Sequence, residues 1–153
     1  MHKPTESTIN LFIDKLDKSG IGTSSMQNKD VYLVPYTLPG ETVKANIINR
    51  FRSKVYCSNL EILVNSSERS KNTCNHFTKC GGCLLQHWKY KQYKNWKFNL
   101  IRQPLVKLTP DIKILDMISA ENYSRRRAKF FLKKENNSCK IGFKGYKSNT
   151  LIN

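Results

Sequence analysis

Residues 30–48 read DVYLVPYTLPGETVKANII and contain two runs of strand-forming residues separated by a turn. The first run, residues 30–36, is rich in β-branched and aromatic side chains and is closed by Pro35, which cannot donate to a β-ladder. Residues 38–41 favour a reverse turn, because proline presets φ and glycine accepts a positive φ. Residues 42–48 alternate in part between apolar and polar side chains, so the stretch predicts a strand, a turn and a second strand.

Similar runs lie on both sides of this stretch. Residues 9–16 alternate apolar with mixed residues before a glycine-rich break at residues 19–22, and residues 55–64 alternate in part. Several short strands in so short a segment predict a small β-barrel of the oligonucleotide-binding (OB) kind over residues 1–66. A small β-sandwich is the alternative, because strand counting does not distinguish the two architectures.

The rest of the chain, residues 67–153, is predicted to form a second domain. A polar, cysteine-containing loop comes first, and residues 84–103 then have the apolar spacing of a helix that ends at Pro104. On that helix Trp88 and Trp96 are expected to be core residues. Residues from 123 onward have β character, with a hairpin turn predicted at residues 135–138. The chain is therefore predicted to be mostly β with one main helix (α+β): an OB-like barrel, a Cys-rich loop, a helix and the start of an antiparallel β domain.

The charge of the chain is strongly positive and unevenly distributed. There are 27 Lys and Arg against 11 Asp and Glu, giving a net charge of +16. Residues 1–30 carry four basic and four acidic side chains, so the whole excess lies in residues 31–153. Such a field attracts polyanions, so nucleic acid is a candidate partner. The alternative is a lysine-rich but merely solvated surface.

Three of the five cysteines lie within ten residues of one another, as Cys74, Cys80 and Cys83. An odd number of clustered cysteines argues against a disulfide scaffold. Thiolates suit iron–sulfur clusters and zinc, and Gly81-Gly82 lets the backbone bend around a metal centre. The spacing therefore predicts a metal centre, most readily an iron–sulfur cluster.

A cluster usually takes four cysteine ligands, so a fourth ligand is needed. The candidates within the chain are Cys57, Cys139, His76 and His87, and the ligand could also come from outside the chain. A zinc ion held by three cysteines and His76 or His87 is the main alternative. For His87, packing against the loop from the predicted helix is the interpretation we favour.

A second motif interleaves guanidinium groups with aromatic rings. Residues 123–131 read YSRRRAKFF, in which arginine can pair with phosphate and aromatic rings can stack on unpaired bases. An exposed, charged strand edge is the structural alternative. The predicted RNA-binding residues here and in the barrel are Arg50, Arg52, Lys54, Arg69, Arg125, Arg126, Arg127 and Lys129.

Together these residues resemble the RNA (uracil-C5)-methyltransferase family, S-adenosylmethionine-dependent enzymes that make 5-methyluridine in ribosomal and transfer RNA. The resemblance spans nearly the whole chain and favours rRNA over tRNA. Residues 8–65 resemble the family's N-terminal TRAM domain, an RNA-binding β-barrel. Arg69, Cys74 and residues 80–87 resemble its 4Fe–4S motif. Tyr123 and the residues that follow it, up to Ser148, resemble the start of its central RNA-binding domain.

The chain departs from the family pattern in two ways, and both limit the function that the resemblance implies. In the family a fourth cluster cysteine follows the Gly-Phe…Ser…Ile stretch, whereas this chain ends at Asn153 and Cys139 precedes Gly142. The fourth ligand is therefore expected to be missing. The cofactor domain, with its cysteine nucleophile and carboxylate base, is also expected to be missing. S-adenosylmethionine would then bind only the full-length enzyme, and a separately encoded catalytic domain is a candidate partner.

Two other functions are compatible with the same residues. One is a stand-alone RNA-binding module with a structural zinc or cluster, and the other is a zinc-ribbon-like ribosomal or translation factor. No run approaches the roughly 20 apolar residues of a membrane span. The first ten residues lack the apolar block of a signal peptide. We therefore expect a cytoplasmic protein without a membrane partner.

Overall fold

The computed structural model describes residues 7–25, 29–120, 124–136 and 138–153. Two compact units make up the fold: the first contains the residues up to Lys71 and the segment Leu84–Lys89, and the second contains Asn72–Cys83 and Tyr90–Asn153. The prediction of a mostly β chain with one main helix is confirmed among the described residues. The predicted domain bounds, residues 1–66 and 67–153, stay a prediction.

The first unit is a curled six-stranded sheet with the strand order β1-β5-β6-β4-β3-β2. Among the strands that the structure describes in this unit, the β4–β6 pair alone is parallel. Ile13 and Asp14 separate β1 from β2, which lie at opposite edges of the sheet, so this short connection curls the sheet into a partly closed barrel, called the barrel below. The strands are β1 (Thr8–Phe12), β2 (Lys15–Leu16), β3 (Gly22–Ser25), β4 (Val31–Val34), β5 (Thr42–Phe51) and β6 (Lys54–Val64).

Alternating side chains of these strands fill the barrel. Register shifts along β5 and β6 add bulges, which increase local bending and twist and so help a small sheet to close. The turns predicted around Gly20 and Gly40 are present, and both glycines adopt positive φ, 85° and 82°. The buried core comprises Leu11, Ile13, Tyr32, Val34, Val43, Ala45, Val55 and Cys57.

The second unit contains helix α1 (Tyr90–Leu108) and a three-stranded antiparallel sheet. The strands are β7 (Phe131–Glu135), β8 (Ser138–Lys144) and β9 (Leu151–Ile152), with β8 in the middle. None of the residues of α1 is buried. An aromatic row runs along the helix, with ring centroids 6.5 Å apart between Tyr90 and Tyr93 and again between Tyr93 and Trp96.

The predicted helix bounds were wrong at both ends. The segment before Tyr90 consists of turns, and Trp88 forms a β-bridge with Arg69 while its indole donates to Glu68 Oε2 at 2.8 Å. Trp88 is therefore a core residue of the first unit and not part of the helix. At the other end the helix runs through Pro104, at the cost of the hydrogen bond that its nitrogen cannot donate. Trp96 is only half-buried, so the prediction that it is a core residue was also wrong.

Candidate nucleic-acid interface and cysteine loop

The tip of the β5–β6 hairpin carries three of the predicted RNA-binding residues. Phe51 pairs with Lys54, which leaves Arg52 and Ser53 as a two-residue turn, and Arg52 adopts a φ of 53°. The Arg52 guanidinium lies 5.3 Å from the centroid of the Phe51 ring, which is 60% exposed. Arg50 is exposed and forms an ion pair with Asp30. The hairpin tip thus places cations beside an accessible aromatic ring, the pair of groups that binds single-stranded nucleic acid.

Arg69, by contrast, is tied to the barrel. Its Nε and Nη2 donate to the carboxylate of Glu41 at 2.5 and 2.8 Å, and Nη2 also donates to the carbonyl of Tyr36 at 3.0 Å. Glu41 is fully buried and also accepts from the backbone N–H groups of Leu38 and Ser66. These hydrogen bonds connect the turn before β5 to the segment that follows β6. Its geometry gives Arg69 a structural role, and the RNA contact predicted for it stays a prediction.

The predicted arginine segment lies in the second unit. Tyr123 falls outside the described residues, whereas residues 124–130 are described, exposed and without regular secondary structure. Arg125 Nε donates to the carbonyl of Arg127 at 3.0 Å, and Lys129 Nζ lies 5.5 Å from the centroid of the Phe131 ring. The segment therefore presents Arg125, Arg126, Arg127 and Lys129 to solvent immediately before β7.

The cysteine loop follows the backbone of β8. Gly81 N donates to the carbonyl of Lys144 at 2.9 Å, and Tyr146 N donates to the carbonyl of Lys79 at 3.0 Å. Cys80 and Gly145 form a β-bridge between these two hydrogen bonds. A Cβ on Gly81 would come within 3.1 Å of the Lys144 carbonyl oxygen, so a larger residue would force the two backbones apart. One reason for glycine in the Cys-Gly-Gly-Cys motif is thus this close contact.

The loop cysteines lie close enough together for Cys74 and Cys80 to affect Cys83 electrostatically. Gly82 N donates to Cys80 Sγ at 3.4 Å. Burial raises the pKa of the Cys83 thiol, and the neighbouring Cys80 and Cys74 raise this pKa further, whereas Arg125 lowers it. The donor set, soft and free of carboxylates, suits a cluster or zinc. In the described part of the chain, however, no group of three or more His, Cys, Asp or Glu side chains is arranged to hold a metal ion.

The candidates for a fourth ligand have different surroundings. Cys57 lies in the barrel core, where burial raises the pKa of its thiol to about 11 and keeps it protonated at neutral pH. His87 is 1% exposed and lies in the turns before α1, so its predicted place on a helix was wrong. His76 and Cys139 are exposed in the second unit. Cys57 and His87 would have to leave their packed positions to bind a metal, whereas His76 and Cys139 would not.

The buried imidazole of His87 should make the stability of the first unit depend on pH. Burial lowers its pKa from 6.5 to about 4, and the nearby Arg69 adds to this shift while Glu41 opposes it. Between these two pKa values the unfolded chain binds a proton at His87 that the folded chain does not, so stability falls as the pH falls. The expected loss from pH 7 to pH 4 is roughly 3 kcal/mol at this residue. Urea unfolding of protein that carries Trp96→Phe, which leaves Trp88 as its tryptophan, followed by fluorescence measures it.

A non-titrating variant is the control for this effect. His87→Gln should remove most of the pH dependence between pH 6.5 and pH 4, even if the variant is less stable at every pH. An unchanged slope in His87→Gln would show that other groups cause the acid sensitivity.

Sequence reasoning did not identify several residues whose exposure or contacts are evident only in the structure. Phe51 was not singled out, although the alternation Arg50-Phe51-Arg52 has the same guanidinium–aromatic pattern that drew attention to residues 125–131. Glu41 was interpreted only as part of a turn, and no local signal shows that a glutamate in a turn is buried against an arginine 28 positions away.

Within the described residues, no helix combines the length and apolar character needed to cross a membrane.

Comparison with known proteins gives a consistent result. No family model matches the chain. A Brucella melitensis protein described as an uncharacterized RNA methyltransferase is 31% identical over 97% of this chain and 34% of its own length. A protein with the same description from Caulobacter vibrioides is 34% identical over 93% of this chain. A 23S rRNA (uracil(1939)-C(5))-methyltransferase of Shewanella denitrificans is 29% identical over 98% of this chain and 34% of its own length.

The alignments thus cover nearly all of this chain but only part of each relative. The chain spans about a third of the length of the curated relatives it matches. The alignments run through both units, including the barrel and the cysteine loop, because they cover more than nine-tenths of the chain. By sequence, the chain is therefore similar to RNA methyltransferases over nearly its whole length, and it corresponds to about one third of the length of those relatives.

Proposed function

We propose that this chain is the RNA-binding and cluster-holding part of an S-adenosylmethionine-dependent RNA (uracil-C5)-methyltransferase, with ribosomal RNA as substrate rather than tRNA. The observation that carries the proposal is the similarity of nearly the whole chain to proteins named RNA methyltransferases, one of which is named as a 23S rRNA enzyme. The positive charge, concentrated after residue 30, agrees with an RNA partner.

In this proposal residues 1–66 act as a TRAM-like RNA-binding domain. OB barrels bind oligonucleotides through one face and through the loops at its ends. The β5–β6 hairpin supplies Arg50, Arg52 and Lys54 for phosphates and Phe51 for stacking. The exposed Phe51 ring supports this role, because an apolar ring in solvent next to a guanidinium contributes no packing to the barrel.

Residues 67–153 supply a second set of RNA contacts. Arg125, Arg126, Arg127 and Lys129 lie in an exposed segment without regular structure, so their side chains can adapt to a nucleic-acid backbone. Arginine is suited to this task because its planar guanidinium can donate two hydrogen bonds to one phosphate. Arg69 is left out of the contacts that we propose, because Glu41 already binds its guanidinium.

We also propose that Cys74, Cys80 and Cys83 are three of the ligands of a 4Fe–4S cluster. The Gly82 N–H at 3.4 Å from Cys80 Sγ supports this, since donors to sulfur tune and stabilise such clusters. A bound cluster would connect three points of the loop and hold it against β8. The fourth ligand would be His76, Cys139 or a group from outside the chain.

Methyl transfer belongs to the part of the enzyme that this chain does not match. The relatives are about three times as long as the chain, and we assign S-adenosylmethionine binding and catalysis to their remaining length. This catalytic part would act together with the chain, in one polypeptide or as a separate partner. We place the protein in the cytoplasm, because RNA is the proposed substrate.

Binding of single-stranded, uridine-containing RNA to charge variants tests this function. Replacing Arg125, Arg126 and Arg127 with alanine should weaken binding and reduce the slope of log affinity against log salt by roughly 2, since each lost phosphate contact with single strands is worth about 0.7. The matched control removes the same charge from exposed positions elsewhere in this unit, Lys91, Lys107 and Lys113. Equal effects of the two triple variants would mean that only net charge matters and would contradict a specific contact at residues 125–127.

A further inference from the structure

A groove of about 290 Å³ opens in the second unit between the cysteine loop and the end of β8. It is lined by Gly81 and Gly82 and by three aromatic residues, Phe131, Phe143 and Tyr146. Lys144 and Lys147 line it as well. The volume is near the lower end of the roughly 300–1,000 Å³ typical of small-molecule sites, a size suited to a single nucleobase.

Two ammonium groups surround the Phe131 ring. Lys144 Nζ lies 4.8 Å and Lys129 Nζ 5.5 Å from its centroid. The ring is only half-buried, and the residue that pairs with it on β8 is Gly142, which has no side chain to cover it. One face of the Phe131 ring is therefore accessible, and two ammonium groups lie beside the ring. Both lysine side chains are long enough to turn from the ring toward an anion.

The part of the groove formed by the cysteine loop is held by backbone contacts. The hydrogen bonds from Gly81 N to Lys144 and from Tyr146 N to Lys79 fix the cysteine loop along β8. A groove lined by fixed backbone and by aromatic rings admits a flat group more readily than a bulky one. The lysines beside it favour a flat group that is joined to an anion.

We propose that this groove binds one unpaired nucleotide of single-stranded RNA, with the base stacked on Phe131 and the adjoining phosphate held by Lys144 and Lys129. Aromatic stacking is the usual way in which proteins hold bases of single strands, and the lysines beside the ring supply the phosphate contact. The proposal rests on the proposed RNA-binding function and adds a position for an individual base. An acidic peptide would satisfy the lysines, but it would leave the ring unused.

A fluorescent base tests the stacking directly. The probe is a uridine-rich single-stranded RNA with one 2-aminopurine, whose emission is quenched when it stacks on an aromatic ring. The complete chain should bind the probe and quench it. Phe131→Leu, which keeps an apolar side chain but removes the ring, should lose the quenching and bind roughly 10- to 100-fold more weakly. Phe131→Tyr should restore both.

The control is Leu132→Ala, since Leu132 is 72% exposed on the same strand and its side chain points to the opposite face of the sheet. It should leave affinity and quenching unchanged. Lys144→Gln should reduce the salt slope by about 0.7, one phosphate contact. RNA binding with unaltered affinity and quenching in Phe131→Leu would overturn the groove proposal while leaving the proposed function intact. Failure of the unmodified chain to bind RNA would overturn both.

Discussion

Glu41→Ala is expected to destabilise the first unit by roughly 3–5 kcal/mol, because it leaves the Arg69 guanidinium without its partner in a mostly buried place. Glu41 is fully buried and the Arg69 side chain is 21% exposed, so solvent compensates the lost charge only in part. The N–H groups of Leu38 and Ser66 lose an acceptor as well. A loss of this size is a large share of the 5–15 kcal/mol that stabilises a typical domain.

Urea unfolding in a Trp96→Phe background, where Trp88 is the remaining tryptophan, measures the effect by fluorescence, and Glu61→Ala is the matched control. Glu61 lies exposed on β6, so its removal should change the stability by no more than about 0.5 kcal/mol. The double variant Glu41→Leu with Arg69→Met should be more stable than Glu41→Ala alone, since an apolar pair leaves no buried charge. A Glu41→Ala variant as stable as Glu61→Ala would show that the ion pair does not hold the barrel together.

Cys80→Ser is expected to abolish the binding of iron by protein purified without oxygen. Cys80 lies at the centre of the loop, where it receives the Gly82 N–H on its sulfur and forms the bridge with Gly145. Serine keeps the backbone contacts but replaces a soft thiolate with a hydroxyl, which is a poor ligand for iron–sulfur clusters. Iron and sulfide analysis together with visible absorption provides the measurement, and circular dichroism checks that the sheet remains folded.

Cys139→Ser tests whether Cys139 is the fourth ligand, because Cys139 is exposed on β8 and is not one of the three loop cysteines. Retention of iron in Cys139→Ser and its loss in Cys74→Ser, Cys80→Ser and Cys83→Ser is the pattern we expect. Loss in Cys139→Ser would instead make Cys139 the fourth ligand. Bound zinc without iron in the unmodified chain would contradict the cluster and favour a zinc site.

The barrel could be predicted from the sequence because its signals are local. The β-rich run at residues 30–36 and the partial alternation along residues 42–48, with turn chemistry at Gly20 and Gly40, predict strands, and short connections favour antiparallel pairing of neighbours such as β3–β4 and β5–β6. However, the parallel β4–β6 pair is a long-range feature, and so is the placement of β1 and β2 at opposite edges of the sheet. Local patterns do not determine them.

The helix shows why the remaining predictions failed. Leu85, Trp88, Trp96 and Leu100 have helical spacing, yet Leu85 and Trp88 pack in the first unit and the other two lie on α1 in the second. The residues that were interpreted as one apolar stripe therefore lie in two different parts of the fold. The same holds for His87, whose burial beside Arg69 and Glu41 depends on residues far away in the sequence.

The candidate site was predictable in its residue types but not in its contacts. The Cys-Gly-Gly-Cys motif identified the loop, whereas the close approach of Gly81 to Lys144 requires the fold. Arg50, Arg52 and Lys54 were chosen by charge, and the exposed ring of Phe51 among them became visible only with the hairpin in place. Arg69 was chosen by the same criterion and is bound to Glu41, because charge alone does not distinguish a surface cation from a structural one.

The central claim, that this chain binds RNA through its basic segments, is tested most directly by the affinity of the unmodified chain for uridine-containing single-stranded RNA over a range of salt concentrations. If the seven proposed cations of the hairpin and of residues 125–129 all contact phosphates, log affinity should fall linearly with log salt with a slope of roughly −5. No binding at low salt, or an affinity that does not change with salt, would contradict the claim.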